Sequence, residues 1–216
     1  MIPSQMRAIL GLLPTTYYIA DETKVSCRGR YRRYRYRGHE RSRIRDLKGR
    51  TLAVVCSRFY RVLKMEGTGL LRPRRGQRLL VNWDALGRFR VVRRCRFGVG
   101  VQQRCLLPFH TIAADLSAYA VGDILYIPRL RGLRLPDGSE HSGLFIVQDT
   151  GGAFRRIGPR RVDLFVGTQT SANNVFLRAG VHHRRSEIAF QLKGIARQHA
   201  LRYFKRRFPR LFSHRS

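Results

Sequence analysis

The spacing of apolar and polar positions changes along this chain, and the changes mark three parts. Residues 51–57 (TLAVVCS) are rich in β-branched side chains and predict a strand. A second short apolar segment follows at 59–64. The glycines of 65–69 (MEGTG) then signal a turn that carries one carboxylate, Glu66. Residues 89–97 alternate in part between apolar and basic side chains, as a strand with one wet face does. From Thr111 onward, strands and turns follow in quick succession. An apolar strand at 124–127 closes at Pro128, and 135–139 (LPDGS) is a turn centred on Asp137 and Gly138. Residues 144–148 form a strand ending at Asp149. Gly151 and Gly152 allow a tight, left-handed backbone, and 162–166 form the next strand. Many short strands joined by glycine turns predict a β-barrel or sandwich.

The flanks read differently. Residues 1–46 show no sustained period and predict an irregular region. Residues 186–208 place Ile188, Leu192, Ile195, Leu201, Phe204 and Phe208 at mostly three- and four-residue steps. They predict a basic amphipathic helix, capped by Ser186 and weakened at Gly194. Its apolar stripe is expected to pack on the barrel, or else to meet a membrane or partner. The expected division is a basic N-terminal extension at 1–50, a barrel at 51–175 and a basic C-terminal helix at 176–216.

Composition sharpens this division. Of 216 residues, 43% are hydrophobic, enough for a packed core and too many for a disordered chain. Lys and Arg number 44 against 13 Asp and Glu, a net charge of +31 that favours polyanionic partners. The charge is concentrated in the flanks. Residues 28–50 hold eleven basic side chains and two acidic ones, and 178–216 hold eleven and one. Residues 111–175 are nearly balanced, at seven and six. A protein built only to bind polyanions has no reason to gather its carboxylates in one stretch; an active site does. The interleaved Arg and Tyr of 28–36 (RGRYRRYRY) could stack on bases or sugars, or lie as a solvated basic segment.

The four cysteines (Cys27, Cys56, Cys95, Cys105) form no CxxC pair, and no His stands at ligand spacing from them, so neither a metal nor a cofactor is predicted. Two disulfides would suit an exported chain, but Cys56 in its apolar run reads first as a buried free thiol. No stretch approaches the roughly 20 apolar residues needed to span a bilayer. Residues 9–13 are too short for a leader core, so the expected form is a mature chain, one exported by another route, or one acting inside a cell.

Three aspartates carry the candidate chemistry. Asp115, Asp149 and Asp163 lie at predicted strand edges among apolar neighbours, where carboxylates are rare unless paired or functional. Their surroundings are residues 113–128 (AADLSAYAVGDILYIP), 144–154 (LFIVQDTGGAF) and 161–167 (RVDLFVG). In order and wording these runs resemble the three-aspartate (3D) domain of the membrane-bound lytic transglycosylase A family. TYYIA at 16–20, TLAVVCSRF at 51–59 and MEGTG at 65–69 resemble a Gram-negative branch of it. The sequence departs from the family's pattern at Arg155, where a Lys is usual, and across 156–161, which read as a short insertion. It also departs at 119–123.

The resemblance implies a mainly β protein with a double-psi β-barrel. It also implies cleavage of the β-1,4 bond between N-acetylmuramic acid and N-acetylglucosamine in peptidoglycan, leaving a 1,6-anhydro ring. It casts Asp163 as the single catalytic acid and base, with Asp149 raising its pKa or holding the sugar and Asp115 orienting the site. Glu66, Thr150, Gly151, Gly152 and Arg155 become expected substrate contacts. The expected partners are glycan strands, anionic wall polymers or a phospholipid surface, with nonspecific nucleic-acid binding as a consequence of charge. A monomer in the periplasm, cell envelope or extracellular space is expected. Two other readings stand beside it: a basic nucleic-acid-binding protein, and a non-catalytic wall-binding barrel.

Overall fold

The computed structural model describes residues 5–27, 40–74, 76–152, 154, 158–170 and 172–212. The Arg-Tyr segment at 28–36 and Arg155 lie outside the described residues. In chain order run β1 (Met6–Tyr17), β2 (Ala20–Asp21), β3 (Arg41–Arg45), β4 (Thr51–Cys56), α1 (Ser57–Glu66), β5 (Thr68–Leu70), β6 (Leu80–Asp84) and β7 (Arg88–Val92). They are followed by β8 (Thr111–Ala114), β9 (Ile124–Arg134), β10 (Glu140–Asp149), β11 (Arg161–Phe165), α2 (Val175–Arg178), β12 (Glu187–Leu192) and α3 (Gly194–Arg207). The chain forms two compact units, residues 1–17 with 99–216, and residues 18–98.

The first unit is a closed six-stranded barrel in the order β1-β11-β8-β10-β9-β12. Two of its pairings, β1 with β11 and β8 with β10, are parallel; the others are antiparallel. Closure removes the exposed strand edges that an open sheet would present. The mainly β, barrel-centred reading therefore holds.

Its boundaries differ from those expected. Residues 6–17 are not irregular: they supply a twelve-residue barrel strand between β11 and β12. Apolar side chains that follow no simple alternation, a Pro at 14 and a register shift between Ile9 and Leu12 hid its period. The expected helix at 186–208 is a strand and then a helix. In β12, Glu187, Ala189 and Gln191 are buried while Ile188 is 58% exposed, the period of two that a strand dictates. Only from Gly194 does the chain turn helical. There Ala200 and Phe204 pack with Ile124, Ile146, Leu192 and Leu211 on the outer face of the barrel. Complete burial of Phe204 stabilises this helix by about 1.5–3 kcal/mol.

The second unit holds the sheet β2-β5-β6-β7 and the hairpin of β3 with β4. Its core gathers Ile44, Val55, Phe59, Leu63, Leu71, Val81 and Phe89. Phe59 and Leu63, four apart in α1, face this core, so 59–64 is part of a helix. Gly67, at φ 77°, ends α1 in the left-handed region and donates its N–H to the Leu63 carbonyl. Cys56 is not a free thiol. It lies at the end of β4 and is bonded to Cys27, with 6.1 Å between their Cα atoms; Cys95 and Cys105 are also in disulfide linkage. No helix among the described residues is long and apolar enough to cross a membrane.

Candidate active site

Strand β8 organises the candidate site. Ala113 pairs on one side with Asp163 of β11 and on the other with Asp149 of β10. Residues in register on neighbouring strands point to the same face, so the two carboxylates share a face with Ala113 between them. Their backbones are two strand spacings apart, about 10 Å. Thr15 of β1 pairs with Asp163 from the far side, and Tyr17 follows two residues on.

Asp149 owes its place to an irregularity. Ile146 pairs with Thr111 and Val147 with Ile112, but Asp149, not Gln148, pairs with Ala113. Without the extra residue, Asp149 would fall one position late and turn to the opposite face. The bulge re-aims the carboxylate toward the face that carries Asp163.

The two groups differ in what surrounds them. Asp149 is half-buried, and burial pushes its pKa up to about 6. The Thr150 N–H, donating at 2.9 Å, and the Tyr17 hydroxyl hold it down in part; the charge of Asp163 adds to the rise. Asp163, with a side chain 22% exposed, is also raised by burial. The Arg161 guanidinium opposes that rise, with Nε 3.4 Å from Oδ1 of Asp163. Arg161 also donates through Nη2 to the Thr15 hydroxyl at 3.2 Å.

Asp115 is held by local bonds of its own. It follows β8, where its Oδ1 accepts from the Ser117 N–H at 2.9 Å and the Ser117 hydroxyl at 2.8 Å, closing a tight local turn. Those bonds hold its carboxyl below the usual range. The Thr150 hydroxyl donates to the Ala114 carbonyl at 2.9 Å, tying the turn after β10 to the end of β8. Gly151 and Gly152 are exposed in that turn, and neither adopts the expected left-handed backbone. A Cβ at Gly151 would lie 3.4 Å from the ring of Phe154, an ordinary contact distance. Glu66 belongs to the second unit, where it accepts from the Tyr18 N–H at 3.0 Å.

The sequence reading missed Arg161, Thr15 and Tyr17. Arg161 was findable, because it stands two residues before Asp163 in a strand and so on the same face. Tyr17 lies within TYYIA, but only the β1–β11 register brings it to the aspartates.

The family comparison falls on this region: residues 110–189, from just before β8 into β12, match the model of the 3D domain. More particularly, the chain is similar in fold to the membrane-bound lytic murein transglycosylase from Agrobacterium tumefaciens. That likeness has a TM-score of 0.55 and 16% identity, over 93% of this chain and 79% of that one. Escherichia coli MltA with bound chitohexaose aligns with a TM-score of 0.48 and 14% identity, over 85% and 72%. The lytic transglycosylase LtgG of Burkholderia pseudomallei aligns at 0.41 and 18%, over 86% and 71%. No curated protein matches the chain in sequence.

Proposed function

We propose that this chain is a peptidoglycan lytic transglycosylase in which Asp163 serves as both acid and base. The observation that carries the proposal is the pairing of Asp163 and Asp149 on either side of Ala113, both with raised proton affinity, inside the region that matches the 3D domain.

The chemistry needs a carboxyl that gives a proton and takes one back. The Asp163 carboxyl donates its proton to the bridging glycosidic oxygen as the C1–O bond breaks and positive charge develops on the sugar ring. The resulting carboxylate then accepts the proton of the same sugar's C6 hydroxyl as that oxygen bonds to C1. The hydroxyl belongs to the bound substrate, so the attack is intramolecular and no water is consumed. Ordinary glycosidases place a second carboxylate to act as nucleophile or to activate water; here that role is not required. Asp149 holds the sugar beside Asp163, and Thr150 with the exposed turn at 151–152 offers hydrogen-bonding groups to the glycan. Asp115 shapes the loop after β8.

Such an enzyme acts on the cell envelope. Disulfide linkage of Cys27 with Cys56 supports an oxidising compartment. The basic surface suits anionic wall polymers or phospholipid headgroups, where many weak contacts lengthen residence.

The test is digestion of purified peptidoglycan with mass spectrometry of the products. Anhydro-muropeptides from the native chain and none from Asp163→Asn are expected. Reducing-end products would replace the reaction with hydrolysis. No products, together with tight, salt-sensitive DNA binding, would return the chain to the nucleic-acid reading.

A further inference from the structure

We infer that Arg161 is the positioning residue for Asp163: its guanidinium holds one carboxylate oxygen in place, leaves the other for the proton, and by its charge eases that proton's release. The inference rests on the role proposed above for Asp163, but its own basis is geometric.

Arg161 and Asp163 lie two residues apart in β11 and share a face. The guanidinium is held from two strands. Nε lies 3.4 Å from Oδ1 of Asp163, and Nη2 is 3.2 Å from the Thr15 hydroxyl on β1, the residue in register with Asp163. A planar fork fixed at both ends restricts the carboxylate's rotation more than a flexible ammonium would. The side chains are 28% and 22% exposed, so the pair is shielded beyond an ordinary surface ion pair. Among the described residues no donor is bonded to Oδ2 of Asp163, which leaves that oxygen for the transferable proton.

The other groups that face Asp163 can be named strand by strand. On β8 it meets uncharged Ala113. From β10 comes Asp149, whose own carboxyl is raised in part by the charge of Asp163. From β1 come Thr15, bonded to Arg161, and Tyr17, whose hydroxyl serves Asp149. Next along the chain, the Arg160 guanidinium lies beside Gly11 instead. Burial favours the protonated form; Arg161 is the cation that opposes it. A group that must both give and regain a proton is served by such a balance, because an acid held too firmly never lets go.

The test reads Asp163 directly, by carbon-detected NMR titration of its carboxyl in the native chain, Arg161→Gln and Arg161→Lys. With Arg161→Gln the midpoint is expected to rise by about one unit, and the alkaline limb of anhydro-product formation to move up with it. With Arg161→Lys the midpoint is expected to stay within about 0.3 unit of native. Its turnover is expected to fall at least about fivefold, because a compact ammonium cannot hold Oδ1 and Thr15 together. An unmoved midpoint in Arg161→Gln, or turnover lost with the alkaline limb in place, would overturn the charge-setting role. Native turnover in Arg161→Lys would overturn the positioning role, and that variant carries the test should Arg161→Gln fail to fold. Absence of anhydro products from the native chain would count against the proposed function; the titration would still decide whether Arg161 governs Asp163.

Discussion

Replacing Asp149 by Asn should stabilise the protein, and the gain should depend on pH in a calculable way. Unfolded, an aspartate titrates at 3.8; folded, Asp149 holds its proton to about 6. Below both values the group is neutral in either state and costs nothing. As pH rises between them, the unfolded chain releases a proton that the folded chain keeps, and stability falls. Above about 6 the carboxylate is charged in both states and the folded one carries the full penalty of desolvation. A shift of about two units at 1.36 kcal/mol each amounts to about 3 kcal/mol near pH 7.5, and about 1 kcal/mol at pH 4.5.

Asparagine has nearly the shape of the protonated acid and never ionises. Any fixed difference between the two, such as an altered bond to the Thr150 N–H, is the same at every pH. The stability of Asp149→Asn relative to the native chain should therefore grow by about 2 kcal/mol between pH 4.5 and pH 7.5, whatever its starting value. Urea unfolding at each pH, with the barrel followed by near-ultraviolet circular dichroism, measures this difference. A relative stability that is flat across that range, or that shrinks as pH rises, would refute the claim that burial governs Asp149.

Two further outcomes follow from the same surroundings. Tyr17→Phe keeps the ring on Phe165, at 4.9 Å between centroids, but removes the hydroxyl that serves Asp149. It should cost no more than about 1 kcal/mol above pH 6, where the carboxylate is charged, and less below, as urea midpoints at pH 5 and pH 7.5 would show. His110 and His141 stack 4.8 Å apart in the core and hold out against protonation to about 3 and about 4, against 6.5 when unfolded, chiefly through burial. The folded chain thus binds fewer protons in that window, and stability should drain away as pH falls from 6.5 toward 4. His110→Phe should flatten that loss while costing about 1 kcal/mol at pH 7, and an unchanged acid slope in urea titrations would count against it.

The aspartates were legible in the sequence because strand edges and glycine turns leave local marks. Asp149 before a glycine pair and Asp163 inside RVDLFVG announce themselves within a few residues. What joins them was not legible. The extra residue at Gln148 that turns Asp149 to the right face exists only in the pairing of β10 with β8. Strand β1, with a glycine and a proline inside it, gives no alternation; its extended form is fixed by β11 and β12, partners roughly 150 or more residues away. At 186–208 a helical period was read through a strand because Leu192 and Phe204 both end in one core while Ile188 and Ile195 stay exposed. The bond from Cys56 to Cys27 was one of three connectivities the four cysteines allow, and no rule of spacing selects it.

Chemically, the barrel face separates two carboxyls that the sequence alone makes equivalent. Asp149 accepts from the Thr150 N–H and, among the described residues, has no cation bonded to it. It keeps its proton to about 6, in part because Asp163 beside it is charged. Asp163 is raised by its own burial against the pull of Arg161. One reacting group is enough for the proposed chemistry because burial helps it hold a proton and the Arg161 charge helps it yield one.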